Sequence, residues 1–193
     1  MLSSITPLGE RSRRQRFPLT AAFLVLGAAG AGAALGALLG AVGGRIPLDG
    51  DQRLLALAAA ATAGLAADVL LRDGVPTHLR QVDERWLHRY RGWVYGLGFG
   101  AQLGVAVATV VTASAVYLVL VGEGLAPSAL AGAVVGTAFG GVRGTSVLLA
   151  ARVDSPARLS SFHRRFAALE RPAAAAALLL QGVVAVTALA LAS

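Results

Sequence analysis

Long uninterrupted apolar blocks constrain this chain more than any other feature. Five follow one another, at residues 18–44, 54–71, 93–121, 126–151 and 173–192. A helix rises about 1.5 Å per residue, so each block covers the roughly 30 Å hydrocarbon core of a bilayer. The apolar residues fill these blocks instead of alternating or recurring along one stripe. A half-buried strand and a soluble amphipathic helix are both excluded by that pattern. Composition agrees: 56% of the 193 residues are hydrophobic and 14% are charged, where soluble domains carry about 25% charge. The expected fold is an all-α integral membrane bundle of about five transmembrane helices. Residues 18–193 form a single transmembrane domain behind a basic tail at 1–17. The first, third and fourth blocks exceed the core thickness and should tilt. The first block follows a basic stretch, as a signal peptide would. It is longer than the roughly 7–15-residue signal core and ends at no obvious cleavage site, so it is expected to be a retained span.

All seventeen basic residues are arginine, and all but Arg143, inside the fourth block, sit outside the blocks. The N-terminal tail has Arg11, Arg13, Arg14 and Arg16. The first connection has Arg45 and Arg53, offset by Asp49 and Asp51. The second has Arg72, Arg80, Arg85, Arg89 and Arg91; the third has none, only Glu123; the fourth has Arg152, Arg158, Arg164, Arg165 and Arg171. Alternation of this kind places the N-terminus in the cytoplasm and the C-terminus outside a bacterial cytoplasmic membrane. It also accounts for the net charge of +7 without nucleic acid as a partner; the lipid bilayer is the partner implied.

Glycine recurs every fourth residue in three blocks: Gly32, Gly36, Gly40 and Gly44 in the first, Gly96, Gly100 and Gly104 in the third, Gly132, Gly136, Gly140 and Gly144 in the fourth. That spacing lines one helix face, where missing side chains let another backbone approach closely. The expected use is helix packing, within the chain or in a homo-oligomer; a glycine-lined solute path is the sharper alternative. Residues 32–44 (GAALGALLGAVGG) and 132–144 (GAVVGTAFGGVRG) share six of thirteen positions. Their opposite expected directions match an inverted repeat, a common transporter architecture. A competing direct repeat aligns 76–91 with 156–171: Leu79 with Leu159, Val82 with Phe162, Arg85 with Arg165, Trp86 with Phe166. These two segments also pattern as cytoplasmic amphipathic helices, apolar on one face and arginine-rich on the other, lying in the headgroup layer or docking a partner subunit. Ser155-Pro156 is a good helix start for the second.

Ionisable residues inside a span mark functional positions. Asp68 and Arg143 fall about 21 and 25 Å below the outer starts of their inward-running blocks. They are candidates for a cross-span pair, with Asp68–Arg72 at i, i+4 as the local alternative. Gln102, Thr109, Thr112, Ser114 and Tyr117 give the third block a polar side. Asp68, Arg143 and Gln102 form the expected polar centre. His78, His88 and His163 lie between blocks, Met1 is the sole methionine and cysteine is absent. No haem, soft-metal or thiol-relay site is expected, and neither is any cofactor. No Ser/His/Asp set, HExxH or phosphate loop occurs, so an enzyme is not expected.

The stretch RQVDERWLHRYRGWVYGLGFGAQLG, residues 80–104, resembles a hairpin of small bacterial polytopic proteins grouped with the CcdA/DsbD-like and LysE-type exporter families. It covers about an eighth of the chain. The thiol-relay members carry paired intramembrane cysteines that are absent here. The resemblance therefore implies a small exporter or maturation factor without redox chemistry. The function expected is transport of a small solute; the alternative is an accessory or assembly subunit of a larger membrane complex.

Overall fold

The computed structural model describes residues 5–70, 85–106 and 113–193, apart from the side chain of His88. Among them all regular elements are helical: α1 (Pro7–Ser12), α2 (Phe17–Gly43), α3 (Gly50–Leu70), α4 (Trp86–Arg89), α5 (Gly92–Gly104), α6 (Ala115–Gly124), α7 (Ala129–Thr145), α8 (Pro156–Ala168) and α9 (Glu170–Leu191). A 3-10 turn, Ser146–Ala150, extends α7. Four helices are long and apolar enough to cross a membrane: α2, α3, α7 with its extension, and α9.

Local chemistry sets the helix starts. Thr6, Ser128 and Ser155 each accept a hydrogen bond from a backbone N–H three residues on, capping α1, α7 and α8. Pro7 and Pro156 follow two of these caps, where a missing N–H costs nothing. Asp49 accepts from the Gln52 N–H at 2.8 Å, and Gln52 Oε1 accepts from the Asp49 N–H at 3.2 Å, a reciprocal box at the start of α3.

The side-chain distribution is that of a protein in lipid. Buried positions on α2 and α7 are mostly glycine and alanine. Leu26, Leu38, Leu130, Val142, Leu179 and Val186 point outward, each more than 60% exposed. In water such a surface would drive association; in a bilayer it is the solvent-facing surface.

The three glycine ladders meet one another's surroundings. Helix α2 packs antiparallel on α7 and parallel on α5. A Cβ on Gly32 would overlap the carbonyl oxygen of Gly136, and one on Gly136 that of Gly32; Gly36 and Gly132 stand in the same reciprocal relation. Gly40 faces the Ser128 carbonyl as Gly140 faces that of Ala28. Each pair maps onto its reciprocal by an offset of one hundred residues, so the contacts of this antiparallel helix pair are symmetric about a local two-fold. Gly44 and Gly144 close the ends of the seam, against the Pro127 carbonyl and the Val25 Cα. Along the earlier half of α2, Gly96, Gly100 and Gly104 of α5 meet the carbonyls of Thr20, Leu24 and Ala28. The 76–91 copy of the direct repeat lies largely outside the described residues. The helices of its two hairpins pack crosswise, α3 on α9 and α5 on α7.

One sequence expectation differs from the structure. Residues 93–121 are not one helix. Helix α5 ends at Gly104, and Ala106 then takes a φ of 63°, the left-handed region that ends a helix. Helix α6 begins only at Ala115, and residues 107–112 lie outside the described residues. The basic tail contains α1, with Ile5, Thr6 and Glu10 fully buried and the Leu8 N–H donating to the Val153 carbonyl at 3.0 Å. Ile5 belongs to an apolar cluster with Leu24, Leu87, Tyr95, Phe99 and Val147.

Candidate functional site

The break in the third block brings three helices to one polar cluster. Ser114, immediately before α6, is 6% exposed, and Gln181 of α9 is fully buried. Asp68 of α3 reaches both. Its carboxylate accepts from the Ser114 backbone N–H at 3.0 and 3.2 Å and from Gln181 Nε2–H at 2.9 Å. Helix α6 then carries the chain about 15 Å from Ser114 to Gly124. The cluster therefore lies about 15 Å along α6 from its Gly124 end. A half-helix N-terminus at such depth is a place where membrane proteins hold anionic groups.

The hydroxyl of Ser114 gives the cluster its chemical character. Ser114 Oγ lies 2.8 Å from three oxygens: the Gly64 carbonyl, Asp68 Oδ2 and Gln181 Oε1. A hydroxyl has one hydrogen to donate. Two short oxygen–oxygen contacts remain for another proton to bridge. A proton on Asp68, donated to Ser114 Oγ, bridges one of them. With that proton absent, the two N–H donors still satisfy the carboxylate. Glycine is needed beside the hydroxyl: a Cβ on Gly64 would come within 2.7 Å of Gln181 Oε1 and 2.9 Å of Ser114 Oγ.

Asp68 and Arg143 do not meet. The glycine seam takes α7 to α2, whereas α3 packs on α9 and α6. Arg143 instead reaches the Ala106 carbonyl at 3.5 Å, at the end of α5, and lies 5.4 Å over the Phe139 ring. Arg72, the local alternative, lies outside the described residues, as do Thr109 and Thr112. Gln102 is half-buried on α5 and makes no hydrogen bond to the cluster. Its place is taken by Gln181. The signal for Gln181 was available in the sequence: it is the one amide in the 173–192 block.

Two further buried carboxyls escaped the sequence pattern. Glu123 belongs to α6, not to a loop, and is 1% exposed; its Oε2 has no hydrogen-bond partner among the described residues. Glu10 of α1 is fully buried and fully bonded. It accepts from Tyr95 OH at 2.6 Å, Thr20 Oγ1 at 2.6 Å and Arg13 Nη2 at 2.7 Å. Burial works against the charge on Arg13, but hydrogen bonds from its guanidinium to Glu10 and Tyr95 outweigh it and hold its pKa above the ordinary arginine value. At the opposite end of the bundle Arg53 ties the segment ends together. It donates to the carbonyls of Gly43 and Ile46 at 3.0 Å and Leu125 at 2.7 Å, satisfying acceptors at the ends of α2 and α6.

These features define a polytopic α-helical membrane protein with a half-buried carboxyl, Asp68, bonded to the residue that precedes a helix start. Comparison with protein-family models, curated proteins and solved structures finds no match to this chain.

Proposed function

We propose that this protein is a small transporter of the bacterial cytoplasmic membrane that couples movement of a small solute to a proton held at Asp68. The observation that carries the proposal is the short contact of Ser114 Oγ with three acceptor oxygens around one hydrogen. A carboxyl solvated in both protonation states, at a break between two half-spans, is the equipment of a proton-coupled carrier. In this reading the chain crosses five times, with α5 and α6 together forming the third crossing. The arginine-rich segments and the N-terminus are cytoplasmic, and the C-terminus is outside. No enzymatic step and no cofactor is involved.

The accessory-subunit reading has one observation in its favour. Helix α8 buries none of its residues and leaves Phe166 exposed, so it offers a docking surface.

The test begins with protein purified from its own membrane in mild detergent. A panel of small solutes is screened for thermal stabilisation at pH 5.5 and 7.5, and any hit is assayed for uptake into proteoliposomes under an imposed pH gradient. The expected result is gradient-driven uptake that Asp68→Asn abolishes while solute exchange persists. Stoichiometric co-purification with other membrane subunits, together with no solute effect, would reject transport in favour of the accessory role.

A further inference from the structure

We propose that the cleft between the 149–153 segment and α8 binds the phosphate headgroup of an anionic phospholipid. The cleft has a volume of about 650 Å³. Arg158, Ser161, Phe162 and Arg165 line it from α8, at i, i+3, i+4 and i+7 of one helix face; Leu149 and Arg152 line it from the facing segment. The wall thus combines three guanidinium groups and a hydroxyl with apolar side chains. Arg158 is engaged, donating to Asp154 at 2.7 Å and to the Arg152 carbonyl at 3.3 Å. Arg152 and Arg165 have no acidic partner among the described residues. The Ser161 hydroxyl donates to the Arg158 carbonyl at 2.9 Å, so the two cations without an acidic partner are what fits a phosphate.

Position decides that the phosphate belongs to a lipid. The spanning helix α7 ends with the 3-10 turn just before the cleft, and Leu148 and Leu149 of that turn are 52% and 62% exposed. A headgroup in the cleft would run its acyl chains along these leucines. A second cavity of about 780 Å³ lies on the other side of the same turn, at Ala151. It repeats the combination, with Arg11 and Arg16 beside Phe17 and Leu19. Arginine over exposed apolar surface, twice at one level, is the pattern of a headgroup layer. A free phosphate would need only the cations. A peptide or nucleic acid would not use the lipid-facing leucines.

The experiment is native mass spectrometry of the full-length protein in detergent, with phosphatidylglycerol, phosphatidylcholine or inorganic phosphate added. It does not depend on solute transport, so its failure and that of the transport reading are separable. The expected result is a phosphatidylglycerol adduct retained under activation that strips phosphatidylcholine. In Arg152→Gln/Arg165→Gln its retention falls at least about tenfold, the scale of two arginine contacts at a lipid surface. In Arg164→Gln, outside the cleft, it is unchanged. Arg152→Lys/Arg165→Lys, which preserves charge, retains it in part and separates lost binding from lost folding. Equal retention of both lipids, survival of the adduct in the double glutamine variant, or displacement by millimolar inorganic phosphate would each overturn the assignment.

Discussion

A methyl group on Gly132 probes the α2–α7 seam at its centre. The Cβ would overlap the Gly36 carbonyl oxygen and stand 3.0 Å from the Gly40 Cα. Both obstacles are backbone, so no side chain can swing clear and the helices must part. A gap of about 0.5–1 Å forfeits about a quarter to a half of each dispersion contact along the seam. Overpacking costs about 1–3 kcal/mol, and backbone obstruction puts this site near the upper end. Alanine returns about 1 kcal/mol of helix propensity over glycine. The net loss of about 2 kcal/mol lowers the unfolding midpoint by about 4–8 °C in a chain of this size. Gly141, on the same helix, has nothing within 4 Å of its would-be Cβ. Gly141→Ala should gain only the propensity term, raising the midpoint by about 2–4 °C. The assay is thermal loss of the monodisperse peak of a fluorescent fusion on size-exclusion chromatography. Equal midpoints for the two variants, or Gly132→Ala the more stable, would refute the packing argument.

Glu123→Gln removes a buried charge and gives the unpartnered position a donor. It should raise the same midpoint by a few degrees, and a fall would show that the carboxylate is needed. Glu10→Ala leaves Arg13 and Tyr95 without their shared acceptor, a loss of about 3–5 kcal/mol for a broken buried pair. Limited trypsin digestion should then cut at Arg13 at least about tenfold faster than in the unmodified protein; an unchanged rate would mean that α1 is held by its apolar contacts alone. For topology, a cysteine at Ser160 should be shielded from an impermeant thiol reagent in intact cells and one at Ser128 should react. The reverse pattern would invert the arrangement.

The sequence carried the helices more fully than their relations. Blocks 18–44 and 54–71 correspond closely to α2 and α3 because hydropathy alone decides where an apolar helix can begin and end. The fourth-residue glycine spacing marked the seam, since only a face without side chains admits a carbonyl so close. It did not say that α2 would take α5 along its earlier half and α7 along its later half. That choice depends on register, and all three ladders have the same period. The break after Gly104 was hidden for a related reason. Hydropathy averages over a window and is blind to a single left-handed residue such as Ala106.

The polar cluster shows why depth alone is a weak guide to partnership. Asp68 and Arg143 were paired by their distances along two inward-running helices, a coordinate that ignores direction around the bundle. The seam places Arg143 beside the end of α5, where a long cation can satisfy a carbonyl that the broken helix leaves open. Arg53 does the same for α2 and α6 at the other end. Both arginines thus donate to carbonyls near helix ends. Asp68 is left to the short polar groups, Ser114 and Gln181, that reach it from α6 and α9. A carboxyl held by an amide, a hydroxyl and one backbone N–H keeps no fixed counter-ion among them. A paired Asp68–Arg143 would have set a cation against the carboxylate, whereas the observed cluster sets neutral donors there. The arrangement that the hydropathy argument missed is therefore the one on which the proposed proton coupling rests.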